Sequence, residues 1–196
     1  MTQVAEQIAG YDYGTVPRSP VRLDELEQLK QAVGFMGDDP DNLQMASAIL
    51  VPQAEEMVSA WRKKIGEQPH LLASFVGPDG QPDEGYKAAV KARFVQWVVD
   101  ICTRPFDEAW LDYQDEIAKR HTPIKKNETD GAETPPVVPL RYLIAFTSVI
   151  ITTAKDFLAK HGDAPERVDE MHVAWTKAVL LSLSLWSRPY AKESLW

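Results

Sequence analysis

Apolar residues recur along most of this chain at intervals of three and four, the spacing that gathers side chains on one face of an α-helix. Leu23, Leu26, Leu29 and Val33 form the first such set, in segment 21–34, and Gly34 closes it. Asp38-Asp39-Pro40 opens the next helix, with Asp38 or Asp39 as its cap. The same period runs from Leu43 to Ile65, and Pro52 inside it predicts a junction between two helices. Gly66 ends that run, Gln68 to Phe75 forms a short segment, and Gly77 to Pro82 is a turn. Tyr86, Val90, Phe94, Trp97 and Ile101 then give a Pro82–Thr103 helix one aromatic, apolar face.

Phe106, Trp110, Tyr113, Ile117 and His121 follow at steps of four, three, four and four. At 3.6 residues per turn they fall within about 80° of one face, so the pattern predicts a helix whose apolar stripe ends on a histidine. Thr122 to Pro139, with four prolines, is the longest connection without a helical period. Two long helices are expected after it, Leu140–His161 and Pro165–Ser187. Val149 to Thr153 is β-branched enough for a strand, but Leu143, Ile144, Phe146, Phe157 and Leu158 extend the apolar pattern too far for one. Ala178 to Trp186 is apolar nearly all round, which predicts cover on two sides, from the core and from a second subunit. Gly10 to Pro20, rich in tyrosine and turn formers, reads as an ordered loop.

Composition narrows the function. The 196 residues are 44% hydrophobic and 26% charged, enough apolar surface for one folded domain. A net charge of −8 disfavours partners recognised through phosphates, whether nucleic acid or an anionic membrane. The single cysteine, Cys102, cannot form an internal disulfide and reads as a buried hydrophobe. No basic, apolar leader is seen in the first ten residues, and no stretch is expected to approach the ~20 residues of a membrane span, so a soluble, cytoplasmic protein is expected.

Four histidines are the scarce chemical resource. His70 at a corner, His161 before a glycine at a helix end and His172 early in the last helix have ordinary structural roles. His121 differs: it ends an apolar stripe, Thr122-Pro123 stops its helix, and no cysteine or histidine is spaced to complete a zinc site with it. One histidine facing apolar, aromatic walls in an all-α domain suits a five-coordinate haem, which needs one axial nitrogen and a dry pocket.

Several blocks together carry a family likeness: Gly10-Tyr-Asp-Tyr-Gly14, Trp61, Gln68-Pro-His-Leu-Leu72, Tyr86, Ala89-Val90, Arg93-Phe94, Trp110-Leu-Asp-Tyr-Gln114, Arg120-His121, Lys125-Lys126-Asn127, Leu140 to Phe146 and Trp186-Ser187. In these the chain resembles the protoglobins, single-domain relatives of the sensor part of globin-coupled sensors, from about Gly10 to its end. The resemblance implies one domain, 1–196: an N-terminal loop (1–20), an additional N-terminal helix (21–34) and a globin core (38–196). It implies haem b (iron protoporphyrin IX) bound through His121, with Trp61, Arg62, Phe75, Tyr86, Val90, Arg93, Phe94 and Phe146 around it. It further implies a loop at Gly10–Pro20 that helps bury the haem, and homodimers through the last two long helices.

The expected function is reversible binding of the diatomic gases O2, CO and NO, as carrier, scavenger or sensor, in a chain whose length leaves no room for an output domain. The alternatives are a haem-free, all-helical dimeric interaction module, or a haem protein with peroxidase- or dioxygenase-like side activity. No acid–base pair among the pocket residues suggests a dedicated enzyme. The main departure from the family is Arg62, where a tyrosine is usual. The desolvation cost of a guanidinium predicts that Arg62 turns outward, to water or to a haem propionate. A second departure is Ala73-Ser74 in place of paired tyrosines, and residues 147–153 lack a proline often found there.

Overall fold

Each helix of this chain starts and stops where its end residues can satisfy the backbone groups a helix leaves unpaired. The computed structural model describes residues 8–196, so the first seven residues of the expected 1–20 loop lie outside the described residues. Helix α1 (Leu23–Ala32) begins where the Arg22 N–H donates to the Glu25 carboxylate at 2.8 Å, and ends before Gly34, whose φ of 70° lets the chain reverse. Helix α2 (Asp39–Leu50) follows. Neither expected aspartate caps it in the usual way: Asp38 is at the cap but makes no side-chain capping bond. Asp39 instead accepts the Met36 N–H at 2.8 Å and pairs with Lys177 Nζ at 2.8 Å, a contact that closes 138 residues of chain.

Pro52 marks the expected junction, a 3-10 turn over Val51–Gln53 before α3 (Ala54–Gly66). Helix α4 (Pro69–Leu72) and a 3-10 turn at Ala73–Phe75 make the short segment. Helices α5 (Glu84–Thr103) and α6 (Glu108–Lys119) carry aspartate caps that periodicity alone passed over: Asp83 accepts the Tyr86 N–H at 2.8 Å and Asp107 that of Trp110 at 3.0 Å. Helices α7 (Leu140–Ala159) and α8 (Pro165–Ser187) complete an all-α fold with no strand among the described residues. The β-branched stretch 149–153 lies within α7, as its flanking apolar residues require.

Helix α8 is the hub, packing on α7, α2 and α6. It runs antiparallel to α7, since Lys155 pairs with Asp169 and His172 Nε2 meets the Ile151 carbonyl at 2.9 Å. The main core lies between these helices around Trp61, Trp97 and Trp175. A smaller cluster of Val21, Leu26, Trp110, Leu111, Leu181 and Leu185 docks α1 on α6 and α8.

Three expectations change. The Phe106–His121 stripe is divided: Phe106 and Trp110 stack at 4.3 Å beside the smaller cluster, whereas Tyr113, Ile117 and His121 face a cavity. Helix α6 stops at Lys119, so His121 sits in the following turn, its N–H reaching the Ala118 carbonyl at 3.1 Å. Helix α7 is, by length and composition, apolar enough to cross a membrane, contrary to the sequence reading; that apolar surface packs on α8, α2 and α3 and remains partly uncovered within one chain.

The Asp39–Lys177 pair joins the start of α2 to α8, and Asp39 is buried. Lys177→Met strands that carboxylate with only the Met36 N–H as partner. A loss of about 2 kcal/mol is expected in urea unfolding, below the full cost of breaking a buried pair because Lys177 is partly exposed.

Candidate functional site

A cavity of about 210 Å3 opens between α5, the turn after α6, the start of α7 and the end of α8. Eight of the nine expected site residues line it: Arg62, Phe75, Tyr86, Val90, Arg93, Phe94, His121 and Phe146. Trp61 does not. It is fully buried one layer behind, its ring 5.1 Å from Phe94 and its Nε1–H donating to Thr153 Oγ1 at 2.6 Å, so it braces a wall residue rather than forming the wall. Arg62 is half-buried and lines the cavity, where the sequence reading placed it in the pocket with its head turned to water or to a haem propionate. Its guanidinium rests over the Phe75 ring at 5.4 Å, a contact that favours the wall.

His121 is held on every side but one. Its Nδ1 lies 2.8 Å from the Ile117 carbonyl, which can only accept, so the ring proton sits on Nδ1 and the lone pair on Nε2. Its own carbonyl accepts the Val138 N–H at 2.9 Å, and the Tyr190 hydroxyl lies 2.9 Å from it and 2.6 Å from the Val138 carbonyl. Trp186 stacks on the imidazole at 5.7 Å and is itself fixed by donating Nε1–H to Gln114 Oε1 at 2.9 Å. Burial lowers the pKa of His121, the Ile117 contact works the other way, and the nearby Lys126 charge lowers it further. The net effect keeps the imidazole neutral and able to donate from Nε2.

Charges ring this apolar space, and each has a partner with one exception. Arg93 grips Asp130 through two bonds, 2.9 and 2.6 Å, and donates to the Ala9 carbonyl at 2.8 Å. Arg120 binds Glu116 at 3.0 Å and the Gly10 carbonyl at 2.5 Å. Glu116 is buried, which opposes its charge, but Lys125 and Arg120 outweigh that and hold its carboxyl below the usual range. These contacts strap residues 9–12 over the cavity edge, helped by Tyr11, whose hydroxyl donates to Asp100 at 2.7 Å and whose ring meets Tyr113 at 5.2 Å. Gly10 fits there because its φ is 69° and an added Cβ would come within 2.8 Å of Arg93 and Thr129. Lys126, almost fully buried, donates to the Ser74 carbonyl at 2.9 Å and Thr134 Oγ1 at 2.6 Å, and burial pushes its pKa down to about 8. The exception is Arg62, which makes no hydrogen bond or ion pair among the described residues.

Sequence reasoning left Tyr113, Ile117, Arg120, Lys126 and Trp186 out of the site. Tyr113 and Ile117 share the four-residue spacing of His121, so that signal was available. Arg120 and Lys126 lie outside that spacing, and the contacts that bring them to the cavity include the carbonyls of Gly10 and Ser74, far away in sequence.

The residues present fit a haem in kind: a single neutral imidazole with its free nitrogen on an open, largely apolar cleft. No group of three or more His, Cys, Asp or Glu that could hold a bare metal ion occurs among the described residues. The donor set therefore suits a metal that brings its other ligands with it.

A family model described as Protoglobin matches residues 23–196. The chain belongs to the protoglobin family. The match starts at the first residue of α1, so the likeness read in the Gly10–Gly14 loop lies outside it. Among solved structures, this protoglobin is similar to the globin domain of the Geobacter sulfurreducens globin-coupled sensor, with a TM-score of 0.65 at 13% identity over 85% of this chain and 97% of that one. That likeness shows the globin fold. A search of curated proteins finds no match. Family and fold together support a globin-type protein with haem and gas binding in general.

The buried Lys126 makes stability depend on pH in a defined direction. Its folded pKa of about 8 is below its ordinary 10.5, so between those values the unfolded chain holds a proton that the folded chain has released. Stability relative to Lys126→Met therefore rises with pH from about 8 to 10.5 and stays level below about 7.5, measured as the difference between urea midpoints.

Proposed function

We propose that this protoglobin is a haem-b protein that binds O2, CO and NO reversibly at an iron ligated by His121 Nε2. The supporting observation is the state of His121: Nδ1–H committed to a carbonyl, Nε2 unprotonated, and the ring locked beside an apolar cavity.

When bound, haem supplies an iron atom with one position for a diatomic gas; the protein's own side chains do the rest. Val90, Phe94 and Phe146 exclude water with apolar walls. The Ile117 contact keeps Nε2 unprotonated, and Trp186 fixes the plane of the imidazole. No carboxylate or second histidine in the cavity is poised as an acid–base partner; Asp130 is engaged by Arg93. This supports gas binding as carrier, scavenger or sensor over dedicated peroxidase or dioxygenase turnover. Purified protein should show a Soret band that His121→Ala removes, and free imidazole should restore haem retention to His121→Gly. Protein reconstituted with haem that desalts colourless would sink the proposal.

We further infer a homodimer through α7 and α8, and a cytoplasmic setting in keeping with the single, buried Cys102. Ile144 on α7 is 53% exposed, and Val173 and Leu180 on α8 are 47% and 38% exposed. Val173 and Leu180 are seven residues apart and share a face, and the antiparallel register places Ile144 beside Leu180. Ile144→Glu with Leu180→Glu should shift a dimer to a monomer in analytical ultracentrifugation, with helix content retained.

A further inference from the structure

Arg62 is built into a partition. Arg62, Ile65 and Phe75 line both the His121 cavity and a second, outer pocket of about 270 Å3. The outer pocket adds two more cations, Lys63 and Lys87, and no acidic side chain to its wall. Lys87 is bound to Glu84 at 2.6 Å, and Lys63 reaches Glu67 only at 3.9 Å. The other cations lining the cavity, Arg93, Arg120 and Lys126, have acceptors in contact. Arg62 has none among the described residues. Burial lowers its pKa, offset in part by the charge of Glu84.

We propose that Arg62 is an anion-binding residue that receives a small inorganic oxyanion, of the nitrite class, from the basic outer pocket and presents it to the His121 cavity. A half-buried guanidinium without a protein acceptor has given up part of its hydration, and an oxyanion supplies the acceptors it lacks. The planar fork of donors matches two oxygens at once, which a lone ammonium does not. Lys63, whose carboxylate partner stands off at 3.9 Å, adds positive charge at the outer mouth, while Lys87 is balanced by Glu84. Phe75 beneath the guanidinium holds the fork in the partition. A carboxylate of the porphyrin offers the same chemistry from another source, and the test separates the two.

The inference rests on haem being held by His121, so two readouts are needed. In the first, the ferric holoprotein is titrated with sodium nitrite and followed by the Soret shift, with ferrous CO binding as the uncharged comparison. Arg62→Gln should lose nitrite affinity about tenfold more than it loses CO affinity, the size of one charge-assisted hydrogen bond, and Arg62→Lys should recover part of the loss. In the second, nitrite at constant ionic strength should raise the melting temperature of the wild type more than that of Arg62→Gln, with or without haem. A missing Soret band defeats the haem reading; a missing difference in melting shift defeats the anion site. Equal losses for nitrite and CO, or faster haem release by Arg62→Gln with unchanged nitrite affinity, would also overturn the proposal, the latter assigning Arg62 to a porphyrin carboxylate.

Discussion

The 2.8 Å hydrogen bond from His121 Nδ1 to the Ile117 carbonyl organises the site. It reaches back four residues although α6 has already ended, so the imidazole keeps a helical alignment while its backbone has turned away. That turn lets the His121 carbonyl meet Val138 and Tyr190 from the far side of the long connection. The bond sets the tautomer, the tautomer leaves Nε2 as the only nitrogen with a lone pair, and the surrounding contacts hold it at the cavity. Without it the ring could rotate, and the apolar walls would enclose a space with no oriented donor.

Around this donor, apolar and charged groups occupy different layers. Phe94, Val90, Phe146 and Trp97 form the inner wall, and Trp61 stands behind Phe94 at 5.1 Å. Arg93 and Arg120 are neutralised by Asp130 and Glu116 while their remaining N–H groups hold the carbonyls of Ala9 and Gly10. Placing those cations near an apolar space is tolerable because each is paired with a carboxylate and bonded to a backbone carbonyl. The same ion pairs thereby anchor the N-terminal strap, so the charge balance of the site and the closure of its edge are one arrangement.

Much of the fold was legible because helices declare themselves locally. The apolar period, Pro52, Gly34 and Gly66 located α1, α2 and α3, and α8 was bounded by its proline and its last apolar turn. His121 stood out because a polar residue ended an apolar stripe. The errors share a cause. Trp61 and Arg62 were both expected around the haem, but neighbours on a helix point about 100° apart, and which one meets the cavity depends on where α5 and α7 pack. Phe106 and Trp110 belong to the same stripe as Tyr113 yet serve another cluster, because α1 and α8 cover that end of α6. Lys126 was legible only as part of a family-like block; its burial depends on Ser74, 52 residues earlier.

The sequence by itself determined that this is an acidic, all-α chain with the protoglobin pattern and a single histidine suited to ligation, because period, punctuation and residue identity are local properties. Only the tertiary structure decided that Lys126 and Glu116 are buried yet satisfied, that Asp39 joins α2 to α8 instead of capping a helix, and that Arg62 faces a cavity without a partner. Those outcomes depend on which distant atoms arrive within hydrogen-bonding distance. That is fixed by the packing of whole helices and left no trace in the spacing along the chain.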